Sequence, residues 1–139
     1  VRPFVDTNVL VYAHDQDEPA KRDRAVSLLV DIGGQMVISA QVLAEFYVTV
    51  TRKLGSPLSP EDAAAQIEEL RPAASVATDA DLIARAVRVS RDHQLSLWDA
   101  MILAAASRGA CDVLYSEDLQ DGFAFDGIEI RNPFADTGS

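Results

Sequence analysis

Short apolar runs separated by amphipathic stretches constrain this chain more than any other feature. The runs fall at residues 2–5 (RPFV), 36–39 (MVIS), 74–77 (ASVA), 112–116 (DVLYS) and 127–132 (GIEIRN). A short helix starting at Thr7 or Asn8 follows the first run. Residues 19–32 then place Ala25, Leu28, Leu29 and Ile32 on one helical face, and Gly33-Gly34 ends that helix. Ser39 opens a helix through about Lys53, stopped by Gly55 and Pro57. Residues 59–70 begin with a Ser N-cap, Pro at the first helical position and acids in the first turn, and Pro72 ends them. Residues 79–93 form a further amphipathic helix. Ser96 opens the most apolar helix, which runs to about Arg108 and closes at Gly109. Strands of this length alternating with helices predict an α/β domain with a mostly parallel central sheet. At 139 residues one domain is expected, over residues 1–134, with 135–139 as a disordered tail.

Composition narrows the class of function. Hydrophobic residues make up 48% of the chain, which argues against disorder. The longest apolar runs, such as AMILAAA at 100–106, are too short to span a bilayer. The opening VRPFVD reaches an acid before any apolar signal core can form, and the single cysteine, Cys111, has no internal partner. A reducing compartment is expected. Twelve basic residues stand against 22 acidic ones, a formal charge of −10, which argues against broad affinity for a phosphate backbone.

Acids recur at matching places in the alternating pattern. Asp6 ends the first apolar run, Glu117 and Asp118 follow VLYS, Asp99 lies in the first turn of the helix opened by Ser96, and Glu45 lies in the second turn of the helix opened by Ser39. Ligands of open parallel sheets gather at the carboxyl ends of the strands. Four acids from four segments can therefore converge, and clustered carboxylates need a compensating cation. An all-oxygen set suits Mg²⁺ or Mn²⁺. Each acid also has a plainer explanation. Asp6 can cap the helix after it, and Ser96-Leu97-Trp98-Asp99 has capping-box spacing. On the wheel of residues 40–53, Val42, Leu43, Phe46, Tyr47 and Val50 form the buried stripe. Glu45 falls beside Gln41, Thr49 and Arg52, the place of a solvated residue or one lining a groove. Asp118 lies in SEDLQDG, where Glu117 or Asp121 can substitute for it on composition alone.

The residues flanking these acids resemble the PIN-domain family, and within it the VapC-type ribonuclease toxins of toxin–antitoxin pairs. FVDTNVLVYA (4–13) is similar to the family's opening strand, ISAQVLAEFYVTVTRK (38–53) to its glutamate-bearing segment, LSLWDAMILAAASRGA (95–110) to its third motif and VLYSEDLQDG (113–122) to its fourth. The closing GIEIRNPF resembles the last strand, so the resemblance covers nearly the whole chain.

The resemblance implies a three-layer α/β/α fold and Mg²⁺- or Mn²⁺-dependent hydrolysis of RNA by a bacterial cytoplasmic toxin. It also implies a homodimer and a cognate antitoxin that blocks the cleft, with an arginine near the metals. Asp6 and Asp99 become the principal ligands, and Glu45 and Asp118 further ligands or groups that position water. Thr7, Asn8, Ser116 and Glu117 are supporting candidates. Neither His14 nor His93 is needed; His93, at its helix end, is expected to meet last-turn carbonyls or solvent. Lys21, Arg22, Arg24, Arg52, Lys53 and Arg108 are the basic residues available to RNA, while Arg85, Arg88 and Arg91 form a solvated edge. With so acidic a chain, recognition of one structured RNA by shape and a few contacts is expected.

Two rival functions are open. A haloacid-dehalogenase-like phosphatase would use Asp6 as nucleophile, but Asn8 occupies the place of its second acid, and Lys21 and Lys53 are the only lysines. A catalytically silent PIN-like binding protein would keep the fold without turnover.

Overall fold

A computed structural model of the chain describes residues 1–135. Of the expected tail, only Ala135 falls within them, in a turn, and the rest lies outside the described residues. The elements run β1 (Pro3–Val5), α1 (Thr7–Tyr12), α2 (Pro19–Ile32), α3 (Ala40–Arg52), α4 (Pro60–Leu70), α5 (Ala80–His93), α6 (Leu97–Arg108), β2 (Val113–Tyr115), β3 (Ala124–Phe125) and β4 (Ile128–Arg131). The sheet order is β1-β2-β4-β3. β1 pairs in parallel with β2, with Phe4 opposite Leu114, and β2 pairs in parallel with β4, with Leu114 opposite Ile130. Phe4, Leu114 and Ile130 are fully buried, so one apolar row crosses the centre of the sheet. The helices flank this mostly parallel sheet, as the alternating pattern predicts.

Helix starts follow the local chemistry. Ser39, Ser59, Asp79 and Ser96 each accept a hydrogen bond from the backbone N–H three residues on. Every residue from Ala100 to Ala106 of α6 is buried, which explains a helix without a polar face. In α3, Val42, Phe46 and Val50 are buried as expected, but Tyr47 is on the exposed edge and Gln41 is buried instead.

One expectation needs correction, and two features are added to it. Residues 36–39 and 74–77 do not form full strands; they join the sheet through single parallel bridges, Phe4 to Val37 and Ser39 to Val76. The chain leaves the sheet at once because Ser39 is already the cap of α3. The hairpin of β3 and β4 is not anticipated by the apolar runs. Its two-residue turn, Asp126-Gly127, has φ of 52° and 78°, and the left-handed conformation at both positions lets β3 run back antiparallel to β4. His93 is exposed at its helix end, as expected, and its ring also stands edge-on to Phe123 and Phe125, 6.0 and 5.5 Å between centroids, tying α5 to the hairpin.

Candidate active site

The carboxyl ends of β1 and β2 and the starts of α1, α3 and α6 surround one cavity of about 410 Å³. Asp6, Glu45, Asp99 and Asp118 all line it. The face that α3 presents is a helical stripe, Gln41, Ala44, Glu45, Val48 and Thr49, so Glu45 sits on a groove and not on an open surface.

Asp6 is set by the strand that ends in it. Its backbone N–H donates to Tyr115 O of β2 at 3.0 Å, which keeps the residue in sheet geometry while its side chain turns inward. The carboxylate is only 5% exposed. Thr7 N–H donates to Oδ1 at 2.7 Å and the Ser116 hydroxyl to Oδ2 at 2.8 Å. A capping residue serves the second or third N–H of its helix, whereas Asp6 takes only the first, so capping alone does not account for burying it. Burial pushes its carboxyl up to about 7, against the opposing pull of Ser116 and Thr7, and the charges of Asp118 and Glu45 push the same way.

The two residues after Asp6 reach two other acids. Thr7 Oγ1 donates to Glu45 Oε1 at 2.9 Å, and Asn8 Nδ2 donates to Asp118 Oδ2 at 2.8 Å. One short stretch of the chain therefore ties together three carboxylates from three segments. Ser116 is the hub on the β2 side: besides serving Asp6, its oxygen accepts from the N–H groups of Asp118 and Leu119 at 3.2 and 3.4 Å. The Asp118 carboxyl is also raised, by partial burial first and then by the nearby charges of Asp99 and Glu117.

Asp99 makes only half of its capping box. Its N–H donates to Ser96 Oγ at 3.1 Å, but among the described residues its carboxylate accepts no hydrogen bond from Ser96 N–H. That leaves the Asp99 carboxylate at the cavity with no protein donor among the described residues.

Glu117 and Asp121 are absent from the cavity lining. Glu117 turns to the other side of the loop, where it accepts from Tyr12 Oη at 2.8 Å and pairs with Lys21 Nζ at 2.5 Å. Asp121 accepts from Asn132 N–H at 2.7 Å. Of the basic residues available to RNA, only Lys53 lines the cavity; Arg108 is paired with Asp79 and Lys21 with Glu117. The role of Gln41 was not readable beforehand. It is 7% exposed and lines the cavity, and its Oε1 is a buried oxygen without a hydrogen-bond partner among the described residues.

An oxygen-rich wall with four acids, one of them driven up to about 7, and a single lysine is short of positive charge, which fits a hard divalent cation. The carboxylates line the wall without closing on a point: no three His, Cys, Asp or Glu side chains among the described residues form a ready-made cage. The same geometry does not suit an aspartyl nucleophile. Asn8 stands where the second acid of such an enzyme would be, and its amide is committed to Asp118.

Residues 4–124 match the sequence profile of the PIN domain. The chain belongs to the PIN domain family. The matched span holds all four cavity acids. Solved structures that this PIN domain resembles include a toxin–antitoxin complex from Klebsiella pneumoniae, at 22% identity and a TM-score of 0.69, covering 94% of this chain and 97% of the other. The sarcin–ricin loop cleaving toxin VapC20 of Mycobacterium tuberculosis superposes at 22% identity and 0.67, covering 84% and 89%. DNA-bound VapBC from Salmonella typhimurium gives 18% identity and 0.65, covering 96% and 98%. At these identities the likeness is one of fold. A comparison with curated protein sequences finds no match. Among the described residues no helix is long and apolar enough to cross a membrane.

Proposed function

We propose that the cavity is the active site of a metal-dependent endoribonuclease, the toxin of a toxin–antitoxin pair. The observation that carries this is the convergence of Asp6, Glu45, Asp99 and Asp118 on one cavity without matching positive charge. Membership of the PIN family and the likeness to a toxin that cleaves the sarcin–ricin loop support it. Asp6 and Asp99 would be the principal ligands of Mg²⁺ or Mn²⁺, and Glu45 and Asp118 would complete the oxygen set or orient water. A bound divalent ion would supply an activated water and neutralise charge growing on the scissile phosphate.

The residues of the chain do the positioning. Ser116 and Thr7 fix the two oxygens of Asp6, Thr7 also fixes Glu45, and Asn8 fixes Asp118. Near neutral pH a carboxyl raised to about 7 holds a proton part of the time, and a cation held there would displace it. The likeness to toxin–antitoxin complexes supports an antitoxin partner. An arginine in its tail, bidentate on these carboxylates, is the natural block. A homodimer and a place in the bacterial cytoplasm complete the proposal.

Calorimetric titration with Mn²⁺ tests the centre. Saturable binding in the wild type, lost in Asp6→Asn and in Asp99→Asn, is the expected result, together with RNA cleavage lost in the same variants. Wild-type cleavage that survives Asp6→Asn would remove the cavity from the chemistry. That no three carboxylates among the described residues form a ready-made cage favours a second reading, a catalytically silent binding protein. RNA bound but left uncut with Mn²⁺ present would select it.

A further inference from the structure

The acids are only part of the cavity lining. Trp98 and Val48 also line it, and they are 61% and 45% exposed. An indole left largely in water beside a site forgoes the burial that usually places tryptophan. Lys53 is the single positive charge of the lining, and it makes no ion pair among the described residues. The cavity thus offers carboxylates for a cation, one ammonium for a phosphate and an exposed aromatic face. Those are the three chemistries of a nucleotide with its metal. At about 410 Å³ the cavity lies within the usual range for small-molecule-sized groups.

We propose that Trp98 is the stacking platform for an unpaired base of the RNA, with Lys53 on its backbone, so that affinity comes from stacking more than from charge. The proposal deepens the nuclease reading and rests on it. It answers the difficulty set by a formal charge of −10, since a site with one lysine gains little from counterion release. Stacking on an aromatic face does not depend on net charge and tolerates every base. It also requires an unpaired base, which directs the site to loops and single strands.

The chain contains one tryptophan, so intrinsic fluorescence reports on Trp98 alone. The wild type is titrated, with Mg²⁺ present, with a random-sequence RNA 12-mer and with inorganic polyphosphate of matched charge. Quenching by the RNA at least twice that by polyphosphate is expected. The salt dependence of binding should correspond to about one phosphate contact, a log–log slope near −0.7. Equal quenching by the two polymers overturns the platform, as does a concentration-dependent blue shift of the protein alone, which would place Trp98 against a second copy. In cleavage of bulk RNA, Trp98→Ala should raise KM about tenfold, with a smaller effect on kcat, and Trp98→Phe should restore most of the loss. A Trp98→Ala variant that cuts as the wild type does but loses grip on the antitoxin assigns the surface to protein contact and overturns the proposal. The two readings fail separately. Cleavage abolished by Asp6→Asn with no RNA-specific quenching leaves the nuclease and removes the platform. RNA-specific quenching without any cleavage keeps the platform and removes the nuclease.

Discussion

Glu117 and Asp118 are neighbours in the chain and opposites in the structure. Glu117 turns outward into a clamp in which Lys21 and the Tyr12 hydroxyl answer its charge, with Lys21 also over the Tyr12 ring at 4.8 Å. Asp118 turns toward the cavity, where its one side-chain donor is a neutral amide and the nearby charges are acids. The clamp is a satisfied structural element. The cavity is left short of positive charge, and that imbalance marks it as a place for a ligand. Both depend on the same loop, so the clamp also anchors the backbone that carries Asp118.

Substitutions can break or sharpen this contrast. The largest effect belongs to Asp6→Asn, which should lower RNA cleavage by at least about a hundredfold, since loss of a mere supporting contact at a metal site already costs 10–100-fold. Its stability should move the other way. Between about pH 4 and 7 the folded metal-free protein keeps a proton on Asp6 that the unfolded chain has released. The unfolded state then binds fewer protons, so wild-type stability falls as pH rises through that window. Asp6→Asn lacks this penalty and should be more stable at pH 7 by an amount on the order of a few kcal/mol, converging with wild type near pH 4. Denaturant unfolding at both pH values without metal measures it, and a variant less stable at pH 7 would deny that Asp6 is held under electrostatic strain.

Ser116→Ala comes next. It deprives Asp6 of its hydroxyl donor and two backbone N–H groups of their acceptor, at a cost of about 1–3 kcal/mol. Cleavage should fall about 10–100-fold, as for other partners that orient metal ligands. Glu117→Gln should cost about 1 kcal/mol through the half-buried pair with Lys21, while cleavage stays within severalfold of wild type. A double-mutant cycle with Lys21→Met should assign most of that loss to the pair. If Glu117→Gln instead abolished cleavage with stability intact, the line between clamp and cavity would be wrong. The smallest stability effect belongs to Asp99→Asn, within about 0.5 kcal/mol, since its carboxylate has no hydrogen-bond or ion-pair partner among the described residues. Its effect on Mn²⁺ binding should nonetheless match that of Asp6→Asn.

The legible parts of the fold were those written in local chemistry. Serine caps, Pro at N1 and apolar spacing located α2 to α6 within a residue or two. The runs at 36–39 and 74–77 were recognisable as sheet-forming, but whether they reach strand length depends on where α3 begins and on how Ile38 and Ala73 pair. The β3–β4 turn carried a signal in Asp126-Gly127 that the two-residue length of β3 obscured.

At the site, local rules could name the acids but could not orient them. The family resemblance singled out Asp6, Glu45, Asp99 and Asp118, and all four meet at the cavity. Composition alone treated Glu117, Asp118 and Asp121 as interchangeable. What separates them lies far off in the chain: Asn8 is 110 residues from Asp118, and Lys21 is 96 from Glu117. The burial that drives the Asp6 carboxyl upward is equally nonlocal, set by the β1–β2 pairing and by the approach of α3. By itself the sequence determined which segments are helices and which can pair as strands, because capping and periodicity act within a turn or two of chain. The tertiary structure decided which carboxylates share a cavity and which are neutralised, because burial and charge act through space.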